Sequence, residues 1–157
     1  MKMAALPMER LYPLLAEQLE RGGSALLPVT GSSMLPALRQ GRDTVVLCPP
    51  EELRRGDVIL FLRGNGRYVL HRIIRRSGPG FLCCGDNQWQ TEQVAAEQVL
   101  ARVSAVRRRG REIPAASPGW RLWAWLWTAL MPVRRPVLRV RRGLGKLRRI
   151  WKNHRRR

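Results

Sequence analysis

Between residues 25 and 106 the chain is cut into apolar runs of strand length, and that cutting most limits what it can fold into. Residues 44–48, 57–62, 68–74, 80–84 and 99–106 each gather Val, Ile, Leu, Phe, Ala or Cys, and Gly, Pro, Asp or charged residues separate them. Runs of this length and make-up predict strands rather than helices. Gly64-Asn65-Gly66, between two of the runs, is a hairpin signal, because Asn and Gly accept the positive φ that tight turns need. The expectation is a mostly β domain over residues 25–109, a small curled sheet or partial barrel. Residues 1–24 ahead of it hold an amphipathic helix over 7–21, with Leu11, Leu14, Leu15 and Leu19 near helical spacing. Pro13 sits early enough in that helix to be tolerated, and Gly22-Gly23 stops it. Residues 110–119, with Pro114 and Pro118, read as a linker to a Trp-rich and basic segment over 120–157. No internal repeat is evident.

At 157 residues, with 45% hydrophobic side chains, the chain has enough material for one modest core. Its formal net charge of +19 is far from ordinary and calls for an anionic partner, a lipid surface or a nucleic acid. The excess is uneven: residues 134–157 contain twelve Lys or Arg and no acid. The three cysteines, Cys48, Cys83 and Cys84, cannot all pair, and the adjacent two point to opposite faces of a strand. They read as buried free thiols in a reducing compartment. No grouping of Cys and His has metal-ligand spacing, so neither a metal nor a cofactor is expected. The first ten residues lack the apolar run of a secretory signal, and Glu9, Glu17 and Glu20 interrupt the segment after them.

Chemistry concentrates in three short stretches. Gly31-Ser32-Ser33-Met34-Leu35-Pro36 offers a hydroxyl on a Gly-assisted turn, where backbone N–H groups can face a carbonyl under attack. A serine needs a base within about 3 Å to become a nucleophile. Lysine is unavailable, since the only lysines are Lys2, Lys146 and Lys152; of the two histidines, His154 lies in the basic tail. His71, on the run 68–74, is therefore the base if Ser33 is the nucleophile, and its ordinary pKa leaves it largely neutral at pH 7. Gly85-Asp86-Asn87 is the third stretch, a polar turn.

Together these residues resemble the S24/S26 serine peptidases, which comprise signal peptidases and self-cleaving SOS-type repressors. The resemblance covers roughly residues 27–106 and rests on four motifs in order: Ser33-Met34-Leu35-Pro36, Arg55-Gly56-Asp57-Val58, His71-Arg72-Ile73-Ile74 and Gly85-Asp86-Asn87. It implies a signal-peptidase-like or SOS-repressor-like β-domain, Ser33 as nucleophile and His71 as general base, as in the histidine-using branch. Three positions depart from the pattern. Gly31 stands where many signal peptidases carry a serine that supports the oxyanion, which leaves backbone donors. Gly41-Arg42-Asp43 interrupts a usual Gly-Asp pair, with Asp43 still able to cap that turn. Beyond the Gly-Asp-Asn turn the chain reads Gln88-Trp89-Gln90-Thr91-Glu92, so the third catalytic member is Asp86, Glu92 or neither; Asp86 is taken first.

Trp120, Trp123, Trp125 and Trp127 fall within eight residues, the first, second and fourth on one helical face. The apolar stretch 122–133 is short of the roughly 20 residues that span a bilayer. It fits a helix lying in the headgroup region, with packing on the β-domain as the other reading. Val140, Leu144, Leu147 and Trp151 continue at helical spacing among the basic residues. An anionic membrane surface is therefore the expected partner beside a peptide or protein substrate, ahead of nucleic acid. So dense an arginine run favours the cytoplasmic side and peripheral attachment; a single C-terminal span is the other topology. The expected activity is that of a serine endopeptidase cleaving a leader or signal-like peptide. The rival is a nucleic-acid-binding or membrane-scaffold protein with an inactive peptidase-like domain.

Overall fold

The structure, a computed structural model, describes residues 8–140. The expected helix start at Pro7, and the basic run from Arg141 with Leu144, Leu147 and Trp151, lie outside the described residues.

Helix α1 spans Met8–Glu20. Leu15 and Leu19 are buried and Leu11 and Tyr12 half-buried against the sheet, whereas Leu14 points to solvent. The buried positions repeat every four residues, a single stripe that fixes which side of the helix meets the domain.

Eight strands come next: β1 (Ala25–Pro28), β2 (Asp43–Cys48), β3 (Val58–Leu62), β4 (Tyr68–Ser77), β5 (Gly80–Cys84), β6 (Glu92–Val94), β7 (Val99–Arg108) and β8 (Arg111–Pro114). They form one antiparallel sheet in the order β1-β2-β7-β3-β4-β5-β6, with β8 also pairing β7. The sheet curls without closing, as the path ends at β1 on one side and β6 on the other. Central β3 feeds both cores. Val58 and Leu60 join Leu15, Leu19, Met34, Leu38 and Val45 on one face. Ile59 and Phe61 join Ile73, Phe81, Cys83 and Val94 on the other. Burying side chains of this kind contributes roughly 1.5–3 kcal/mol each, and a strand buried on both faces reads as the unbroken apolar run seen at 58–62.

The turns obey their chemistry. Arg63 and Gly66 close a turn through a 2.9 Å hydrogen bond, and Gly66 takes φ 79, so the Gly64-Asn65-Gly66 signal does form the β3–β4 hairpin. The expected linker 110–119 is shortened in the structure, because β8 occupies Arg111–Pro114. Arg109 (φ 50) and Gly110 (φ 76) make the two-residue turn that folds β8 back on β7. All three cysteines are free; Cys83 and Cys84 are buried, and burial pushes the Cys83 thiol up to about 12.

Helix α2, Pro118–Ala129, packs on the domain through Ala124, Trp127 and Thr128. A turn of 3-10 helix at Met131–Val133 and helical residues 134–140 continue it. Trp123 and Trp127 stack with centroids 5.0 Å apart, and the Arg72 guanidinium lies over Trp120. The Trp-rich face thus meets the β-domain, and Trp125 is left outward at 62% exposure. No helix among the described residues is long and apolar enough to cross a membrane.

Candidate active site

Ser33 lies in the loop between β1 and β2, and that loop is held from three sides. Met34 and Leu38 drop into the core beneath it. Asp43, buried at the start of β2, accepts from the Arg39 N–H (2.8 Å), Arg42 and Arg108, while Arg108 also donates to the Ala37 carbonyl (2.7 Å). Burial works to raise the Asp43 carboxyl, but these donors prevail and bring it down to about 2. Asp43 therefore caps the loop as expected, despite the intervening Arg42. Gly31, at φ 75, lets the chain turn and donates its N–H to Gln40 Oε1 at 3.0 Å.

The third support is the Gly85-Asp86-Asn87 turn. The Asn87 N–H donates to the Ser33 carbonyl at 2.7 Å, and its side-chain amide to the Ser32 carbonyl at 3.1 Å. Gly85 is required by closeness. A Cβ there would stand 2.6 Å from the Ser33 carbonyl oxygen and 3.0 Å from His71 Nε2. Ser33 backbone and imidazole edge thus flank one glycine.

His71 sits on β4, 2% exposed, with Phe61 edge-on to its ring. Its Nδ1 lies 2.7 Å from Glu92 Oε1. The contact is close without being an aligned hydrogen bond, the imidazole edge held against the carboxylate. Arg63 grips both oxygens of the same carboxylate with two 2.7 Å hydrogen bonds, sharing Oε1 with His71. Burial, the largest influence, pushes the His71 imidazole below its ordinary value; Glu92 pulls it up and Arg63 adds to the downward push. For Glu92 burial acts upward, but the Arg63 hydrogen bonds and His71 hold the carboxyl below its ordinary value. The arrangement is a neutral imidazole with its Nδ1 side fixed by an anion and its Nε2 side turned toward the Ser33 loop. No hydrogen bond joins Ser33 Oγ to His71 among the described residues.

Asp86, taken first as the third member, is elsewhere. Its carboxylate is fully buried and bound by Arg72 through hydrogen bonds of 2.8 and 2.7 Å, with Trp123 Nε1 at 3.3 Å. The reason is strand alternation. His71 and Arg72 are neighbours on β4 and face opposite sides. Register places Arg72 opposite Cys84, just before the turn, and Ile73 opposite Cys83, which pairs with Glu92. Asp86 therefore falls on the Arg72 side and Glu92 on the His71 side.

Sequence reasoning does not single out Arg63; its only signal is position, two residues after Phe61 and so on the His71 side of β3. Arg134 is hidden in the basic run. It has no exposed surface and donates to the carbonyls of Gly85 (3.3 Å) and Gln88 (3.4 Å) and to that of Trp127. No three His, Cys, Asp or Glu side chains among the described residues gather as a metal site.

No curated protein matches the chain. A family model does: the Peptidase S24-like model matches residues 2–104, from the N-terminal segment through most of β7 and including Ser33, His71, Asp86 and Glu92. The match leaves out β8, α2 and Arg134, but it spans well over half of the sequence, and the chain belongs to the peptidase S24-like family.

Proposed function

We propose that the protein is a serine endopeptidase in which Ser33, His71 and Glu92 form the catalytic group. The observation that carries this is the position of His71. Its Nδ1 is 2.7 Å from an Arg63-bound carboxylate, while its Nε2 abuts Gly85 beside the Ser33 backbone. Ser33 Oγ attacks the peptide carbonyl carbon as His71 Nε2 takes its proton. The C–N bond then breaks, and His71 returns the proton to the leaving amine. Water, deprotonated by His71, attacks the acyl-Ser33 carbonyl, releases the new carboxyl terminus and restores the hydroxyl. Glu92 stabilises the imidazolium formed in both steps. The Ser33 and Met34 N–H groups, at the loop that the core and Asn87 hold still, are the donors for the oxyanion.

The substrate lies extended along the open edge of β1, whose chain runs through Val29 and Thr30 into the Ser33 loop. Asp86 serves as scaffold, tying Arg72 to the turn that holds the loop. A leader or signal-like peptide, presented on the cytoplasmic side of a membrane, is the substrate class that suits the basic C-terminal sequence.

The test is cleavage of a proteome-derived peptide library by the purified full chain, read by mass spectrometry. The wild type is expected to cut at a shared sequence, and Ser33→Ala and His71→Ala to lose that cutting while remaining folded. Equal cleavage by Ser33→Ala would overturn the assignment, as would an inert wild type offered the same library on anionic vesicles.

A further inference from the structure

The segment beyond the family match has two unlike faces. Positions 124, 127, 131, 134 and 138 return every three or four residues and are buried or half-buried, so α2 and the residues after it turn one continuous side inward. That side grips the catalytic turn. Trp127 Nε1 donates to the Asp86 carbonyl at 2.9 Å. Arg134 donates to the Gly85 and Gln88 carbonyls, contacts Cys84 Sγ at 3.6 Å and lies over the Trp127 ring. The same turn supplies the Asn87 N–H that holds the Ser33 carbonyl.

The outward side carries Leu122, Trp125, Leu126, Val133, Val137 and Val140, each between 38% and 63% exposed. These also recur at helical spacing, so they form a stripe rather than scattered exposed residues. Its charged neighbours along the chain are Arg121, Arg135 and Arg139, and no acid occurs after Glu112 in the whole sequence. Glu51, Glu52 and Asp57 line the cleft at the Trp125 end together with Arg54, Arg55, Arg102 and Arg121, so the balance there stays basic. An apolar stripe in such surroundings matches the headgroup region of an anionic bilayer, apolar side down and guanidinium groups among phosphates.

We propose that this outer face docks on an anionic lipid bilayer, and that docking firms the turn at residues 84–88 through Trp127 and Arg134. Docking holds the segment in the conformation whose inner face grips the turn, so by linkage the turn is ordered when the protein is on the membrane. The consequence for peptide cleavage rests on the reading of Ser33 as nucleophile; the coupling itself does not.

The full chain is mixed with phosphatidylcholine vesicles, with or without phosphatidylglycerol. Flotation reads binding, and amide hydrogen exchange of the peptide covering 85–88 reads the turn. Salt of about 0.5 M screens the basic run and leaves the apolar stripe as the main attachment. The anionic vesicles are expected to bind and to slow exchange at Asn87 at least about fivefold, the lower end of usual coupling between sites. The double variant Trp125→Glu/Val137→Glu is expected to lose binding in salt and the slowing, with exchange in solution unchanged. Arg134→Met is expected to bind normally without the slowing; Trp127→Phe, which removes the indole donor to the Asp86 carbonyl, replaces it should the methionine variant not fold. Wild-type binding without slower exchange would overturn the coupling, and no binding in salt would overturn the docking. Neither readout needs cleavage, so a failure of the peptidase reading is seen separately.

Discussion

Substituting Gly85 with alanine tests the packing of the site through one methyl group. The new Cβ would stand 2.6 Å from the Ser33 carbonyl oxygen, 3.0 Å from Gln88 Oε1 and 3.0 Å from His71 Nε2. The Gln88 amide ends a flexible side chain and can swing away. The Ser33 carbonyl is backbone, and the imidazole is braced by Glu92, so the loop and the turn must part. Reaching an ordinary contact of 3.4 Å takes about 0.8 Å of separation. That carries the 2.7 Å bond from Asn87 N–H to the Ser33 carbonyl toward the limit of a hydrogen bond. Displacing a nucleophile by this much lowers kcat/KM by roughly 100-fold, about 2.7 kcal/mol of transition-state stabilisation. Overpacking itself costs about 1–3 kcal/mol of stability. Peptide-library cleavage and thermal unfolding of the purified variant read the two effects apart. Gly64→Ala is the control, since its Cβ would meet nothing within 4 Å. A folded Gly85→Ala protein that cleaves at the wild-type rate would refute the claim that Ser33 and His71 meet across this glycine.

The same contacts set further outcomes. Glu92→Gln removes the anion at Nδ1, and cleavage is expected to fall by roughly 10²- to 10⁴-fold. Because Glu92 pulls the His71 pKa up, the acid limb of the remaining activity should move to lower pH; a limb that stays or moves up contradicts the contact. Asp86→Asn leaves Arg72 buried without its anion and should cost about 3–5 kcal/mol in chemical unfolding. Whatever stays folded should move the acid limb down by less than Glu92→Gln does, since Asp86 is the weakest of the charges that raise the His71 pKa; a shift as large as that of Glu92→Gln would return Asp86 to the catalytic group. The Asp43 carboxyl is lowered from 3.8 to about 2. Its contribution of about 2 kcal/mol is complete above pH 4 to 5 and is lost as pH falls toward 2. Asp43→Asn should therefore flatten the acid limb of a stability–pH curve, and an unchanged limb would deny the role of the Arg42 and Arg108 contacts.

Much of the β-domain is legible in the sequence because its long strands are apolar runs and its first hairpin announces itself at Gly64-Asn65-Gly66. β1, β6 and β8 are not, being three or four residues long with too little pattern to read. The β7–β8 turn has a weak signal in Arg109-Gly110, where the arginine adopts a conformation more usual for Asn or Asp. At the site, residue types point to Ser33 and His71, since the chain offers no lysine there. The choice between Asp86 and Glu92 needs register. Both lie beyond β5, and only the Cys83–Glu92 pairing shows which one shares the His71 face. Arg134 is illegible for a simpler reason: one arginine turned inward looks the same in sequence as its outward neighbours. Of the Trp cluster, the structure shows Trp127 packed inward on the β-domain and Trp125 left outward, a division the sequence does not display.

The most direct measurement is of new protein N-termini in cells carrying the wild type or Ser33→Ala at equal abundance, read by mass spectrometry. The account predicts termini that share a cleavage sequence and occur only with the wild type. Identical sets in both would contradict Ser33 as a nucleophile and leave the fold without the chemistry proposed for it.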